Sequence, residues 1–173
     1  TKNIEPNLRL IGDYTKLSKD DHFQIPEYQR GYSWTTIHCD KLWQDIETYI
    51  ESGEEDPYFF GTVIIDCSTS NTLKLIDGQQ RTTTFLLLLK ALHLCIGHTL
   101  QELVESDETR ALNRALNNSY FRIFEILYKA DEELQDDILS DWKKAHGIII
   151  LENRSINELY KSDFQKIIEA KSY

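Results

Sequence analysis

The sequence contains no methionine, not even at position 1. A piece of a longer chain is therefore expected, with function resting partly on segments outside it. Cysteine is scarce: Cys39, Cys67 and Cys95 stand 28 residues apart each time. An odd count at wide spacing argues against a disulfide framework and for a reducing, cytoplasmic setting. No CxxC or HExxH spacing occurs, and His38-Cys39 and His93-x-Cys95 are too sparse for zinc, so no metal site of that kind is expected. No apolar run reaches the roughly 18 to 20 residues that cross a membrane, so no membrane partner is expected. The opening residues (TKNIEPNLRLIGDY) lack the apolar stretch of a signal peptide.

Basic charge is also short. The net charge is −10, with 9 basic and 14 acidic residues in the first hundred and 10 and 15 in the rest. The acidity is even, with no basic tail or stripe. That argues against nucleic-acid binding by this chain through broad phosphate neutralisation, and leaves room for a local positive site.

What is present is ordinary globular composition: 173 residues, 40% hydrophobic and 28% charged, enough for one domain or one domain with a helical extension. Residues 1–22 are polar and mixed, with Ile4, Leu8, Leu10, Ile11 and Leu17 as anchors. Phe23 to Ile25 reads as a short strand, with Pro26 at its end. Thr35 or Thr36 caps a helix to about Ser52, whose apolar residues recur at three- and four-residue steps; Gly53 ends it. "YFFGTVIID", 58–66, is aromatic and β-branched and reads as a central strand. A loop of about five residues leads to a second strand at 73–76. Residues 80–96 form a helix apolar nearly all round, stopped by Gly97. Beyond it lie helices at about 107–130 (with Tyr120, Phe121, Phe124 and Tyr128 read as core), at 131–145 including Trp142, and from Ser155 or Asn157 to about 170. "GIIILENRS" is strand or loop. The pattern is α+β.

The second strand and the buried helix are joined by Asp77-Gly78-Gln79-Gln80-Arg81-Thr82. A helix start offers unpaired N–H groups and partial positive charge, a generic place for an anion. Gly78 lets the backbone approach closely, Thr82 and Thr83 add hydroxyls, and Arg81 can grip two phosphate oxygens. Arg81 is informative because a cation is disfavoured in the first turn of a helix unless an anion sits beside it. Residue chemistry leaves two alternatives open: Asp77 pairs with Arg81, or the glutamines merely cap backbone groups. No Walker A loop is present. A second cluster, Gln29-Arg30-Gly31-Tyr32-Ser33-Trp34, sets an amide, a guanidinium, a phenol and an indole just before a helix. Aromatic faces there can stack on a base or on the guanidinium, or serve as core anchors.

"IPEYQRGYSW", "FFGTVII" and "LIDGQQRTTTFLLLL" together resemble the N-terminal domain of GmrSD-like proteins of type IV restriction and phage defence, over about residues 10–97. The resemblance implies a ParB/sulfiredoxin-like α+β fold with a small mixed sheet and flanking helices in residues 1–97. A helical part, 98–173, follows. It further implies binding, and hydrolysis, of a nucleoside triphosphate (GTP, ATP or another) with Mg2+. Asp77, Gly78, Gln79, Gln80 and Arg81 would form the phosphate motif, and Gln29, Arg30, Tyr32 and Trp34 would complete the pocket with Thr82. Asp77 and Arg81 would be the catalytic pair. Partners implied for the full protein are DNA, often modified, and an HNH-type nuclease domain. The histidines at 22, 38, 93, 98 and 146 are spread too widely to form one here. Two alternatives stand beside this reading. One is a non-catalytic module that senses modified DNA or docks a partner. The other is a ParB-like nuclease using Glu27, Asp66 and Asp77 with a metal.

Overall fold

The computed structural model describes residues 4–130, 132–140, 149–155 and 161–171. Trp142 and Asn157, on which two of the expected helices drew, lie outside them. Helix α1 (Ile11–Thr15) leads into β1 (His22–Ile25), α2 (Thr36–Ser52), and the hairpin of β2 (Ile64–Thr69) and β3 (Thr72–Asp77). Then come α3 (Gln79–Glu102), α4 (Arg110–Tyr128), α5 (Glu132–Ser140), β4 (Leu151–Asn153) and α6 (Lys161–Glu169). The sheet order is β2-β3-β1-β4, antiparallel between β2 and β3 and parallel on both sides of β1.

β1 alternates. Phe23 and Ile25 enter the core with Leu75 of β3 and Leu151 of β4, while Gln24 turns to the other face and donates to Glu152 Oε2 at 2.9 Å. Over the apolar face lie Leu86 and Leu89 of α3, Phe124 and Leu127 of α4 and Ile168 of α6. One sheet and one core thus draw on residues from both sides of position 97. By length and composition α3 could cross a membrane, yet it contributes to this core and buries Lys90 and His93.

Several expectations are corrected. Of residues 58–66, only 64–66 pair, and β2 runs on to Thr69 as an edge strand. The turn to β3 is the two residues Ser70 and Asn71, with Asn71 at φ +58°. Gly97 does not stop α3, which continues to Glu102 because a helix tolerates an isolated glycine at modest cost. Ile4, Leu8 and Leu10 are exposed rather than anchoring. Tyr14 does that work, its ring 4.9 Å from that of Phe23. On α2 only Leu42 is buried, and Ile37 and Ile50 face solvent. The undecided segment near 150 contains the short strand β4.

Candidate functional site

β3 ends at Asp77, Gly78 turns the chain at φ +85°, and α3 begins at Gln79. Glycine adopts that left-handed conformation without strain. A Cβ on Gly78 would meet Val63 Cγ2 at 3.0 Å and Thr62 O at 3.2 Å, so the junction lies directly against residues 62–63. Asp77 is exposed and its Oδ1 accepts the Gly78 N–H at 2.8 Å. The first bond inside α3 is from Thr82 N–H to Gly78 O at 3.0 Å. The N–H groups of Gln79, Gln80 and Arg81 precede it and need partners from outside the helix.

The two glutamine side chains are buried and committed. Gln79 Nε2 donates to Gln29 Oε1 at 3.0 Å, and Gln29 Nε2 donates to Ile76 O at 2.8 Å. Gln80 Nε2 donates to Gly31 O at 3.1 Å while its Oε1 accepts the Ser33 N–H at 2.8 Å. Thr84 donates to Gln80 O at 2.8 Å, and the Tyr32 hydroxyl meets Thr84 Oγ1 at 2.8 Å. The Tyr14 hydroxyl meets Thr82 Oγ1 at 3.0 Å. Burial pushes both phenols up to about 12, partly offset by these hydroxyl bonds, so they stay neutral. Polar residues sit where β3 becomes α3 because their amides fasten the 29–33 loop to α3.

Arg81 is different. It is half-buried, and its guanidinium makes no ion pair or hydrogen bond among the described residues; the pairing with Asp77 is not formed. Aromatic packing and shape hold it instead. Its Cζ lies 5.8 Å from the centre of the Phe60 ring, which packs edge-on against Phe85 at 5.2 Å. The guanidinium crosses Gly61, at φ +125°, where a Cβ would stand 1.8 Å from Nη1.

Arg81 lines a cavity of about 310 Å³. One wall is α2, with Ile37, His38, Lys41, Leu42 and Asp45; the other is the segment from Tyr58 to Gly61. Trp34 closes one side, stacked on His38 at 5.7 Å. His38 Nδ1 in turn accepts the Thr35 N–H at 3.1 Å and fixes the start of α2. Lys41 Nζ pairs with both Asp45 oxygens at 3.2 Å.

Of the residues singled out in the sequence, Trp34 and Arg81 line this cavity. Gln29, Tyr32, Gln79, Gln80 and Thr82 form hydrogen bonds at the junction, and Gly78 makes its turn. Arg30 is exposed and makes no ion pair or hydrogen bond among the described residues. Glu27 is exposed near Arg154, and Asp66 lies on β2 opposite Lys74. No group of three His, Cys, Asp or Glu side chains is placed to hold a metal among the described residues. The walls from α2 and 58–61 were missed in the sequence. The available signal was an α2 stripe with more apolar residues than the core could cover.

The sequence model of the family described as GmrSD restriction endonuclease, N-terminal domain, matches residues 11–172, well past the motifs that end near residue 97. No curated protein matches the chain.

Proposed function

Because the chain belongs to the family of GmrSD restriction endonuclease N-terminal domains, a component of restriction or defence proteins, we propose that it is a nucleoside triphosphate-responsive module that controls a nuclease. The phosphates lie against Arg81 and the N–H groups of residues 79–81, which no helical carbonyl satisfies. The observation that carries this reading is Arg81: a guanidinium in the first turn of a helix, unpaired among the described residues and facing a cavity. A cation at that end of a helix is unfavourable by a few tenths of a kcal/mol to about 1 kcal/mol, and a bound anion reverses the sign.

Mg2+ accompanies the triphosphate in this reading. Asp77 fits it, since its exposed carboxylate has spent one oxygen on Gly78 N–H, and one carboxylate with phosphate oxygens is a usual magnesium set. The ion would neutralise phosphate charge. Arg81 would stabilise charge developing on a transferred phosphoryl group, and Asp77 would orient water. Binding of DNA and the HNH-type nuclease belong to the full protein.

The test is a thermal-shift titration with the four ribonucleoside triphosphates and Mg2+, beside Arg81→Ala. At 100 times Kd, binding stabilises the fold by about 2.7 kcal/mol. Stabilisation of the native chain and not of the variant is expected. Absence of any shift, or an equal shift in both, overturns the reading.

A further inference from the structure

We infer that the cavity beside Arg81 is the base pocket of that nucleotide, and that its polar end selects guanine. The inference rests on the phosphate site proposed above and adds the identity of the base.

A volume of about 310 Å³ is at the small end of ligand pockets, which run from about 300 to 1,000 Å³. A base and ribose suit it, with the phosphates continuing toward Arg81 and the start of α3. Its rim leaves large apolar side chains uncovered: Ile37 is 77% exposed and Phe59 72% exposed. A planar aromatic ligand covers such surface, and rings such as Phe59 and Trp34 accept any base by stacking. Stacking therefore gives affinity without choice.

Choice comes from Lys41 and Asp45, one turn apart on α2 and both facing the cavity. Together they present an ammonium donor beside a carboxylate acceptor, 3.2 Å apart. The guanine edge is the complement: O6 accepts from Lys41, while N1–H and N2–H both donate to Asp45. Adenine and cytosine each offer the carboxylate one amino group on that edge, and uracil one imino N–H. Guanine alone gives the carboxylate two parallel bonds, the stronger arrangement.

The experiment is calorimetric titration of the full chain with the Mg2+ complexes of GTP, ATP, CTP and UTP and with inorganic triphosphate. It is repeated for the nucleotides on Asp45→Asn, a substitution of equal size at a half-buried surface position, its fold checked by circular dichroism. GTP is expected to bind at least about tenfold more tightly than ATP or inorganic triphosphate. Asp45→Asn is expected to bring the GTP-to-ATP ratio within about threefold. Equal binding of all the nucleotides and inorganic triphosphate, or an unchanged ratio in the variant, overturns the base pocket and leaves the phosphate site standing. Absence of binding by every polyphosphate overturns both.

Discussion

At the first turn of α3 the buried side chains are neutral amides; three turns later they are an ammonium and an imidazole. Gln79 and Gln80 reach Gln29, Gly31 and Ser33, bonds that fasten a neighbouring loop. Lys90 donates to the Tyr128 hydroxyl at 2.9 Å, and burial lowers its pKa to about 8. His93 stacks on Tyr120 at 3.9 Å, and its Nδ1 has no hydrogen-bond partner among the described residues. Burial, then the positive charge of Lys90, holds its pKa near 4. The amides are buried with their hydrogen bonds made, Lys90 keeps a hydrogen bond and a lowered pKa, and His93 is held neutral. Arg81 belongs to neither case, being charged, half-buried and bordering open volume. Polarity inside an apolar helix is thus a poor marker of a site. A charge without a partner at a cavity is a better one.

Acid tests the contrast most strongly. Between pH 6.5 and about 4 an unfolded His93 binds a proton that the folded one refuses, so stability falls as pH drops through that window. The loss attributable to His93 is up to about 3 kcal/mol. Urea unfolding at both ends of the window should show a smaller acid loss for His93→Phe than for the native chain. Equal losses would mean that His93 is not held neutral. Next is Gln80→Ala, which leaves Gly31 O and Ser33 N–H without their partner and costs about 2 kcal/mol. The urea midpoint reads this at unchanged m-value. An effect below 0.5 kcal/mol (roughly the range of an ordinary surface change) would remove the amides' structural role. Third, Gly61→Ala places a methyl where Arg81 lies and strains a left-handed residue, costing more than about 1 kcal/mol. It should also weaken triphosphate binding in calorimetry. Smallest is Arg81→Ala, expected to change stability by no more than about 0.5 kcal/mol, because no ion pair is lost and loss of the Phe60 contact is offset by removing a cation from the first turn of α3. A larger destabilisation would assign Arg81 to the fold.

Much of this was legible in the sequence. The bounds of α2 followed from a threonine before the helical spacing and a glycine after it. The strand-glycine-helix junction at 77–79 followed from composition. Residues 58–63 misled because β propensity cannot distinguish an aromatic residue that pairs in a sheet from one that walls a cavity. β4 has three residues, too few for a period. The partners of Gln79 and Gln80 lie about 50 positions earlier in the chain. Local pattern therefore showed that polar groups were there but not that they were satisfied.

In the proposed division of labour, Arg81 and the first amides of α3 hold phosphate while the glutamine side chains hold the fold. Nitrogen–proton correlation spectra, recorded as Mg2+ triphosphate is added, probe both halves of that division at once. Shifts of the Arg81 side-chain Nε–H and the backbone amides of residues 79–81 are expected, with the side-chain NH2 signals of Gln79 and Gln80 unmoved. Movement of those glutamine signals with Arg81 stationary would overturn the division.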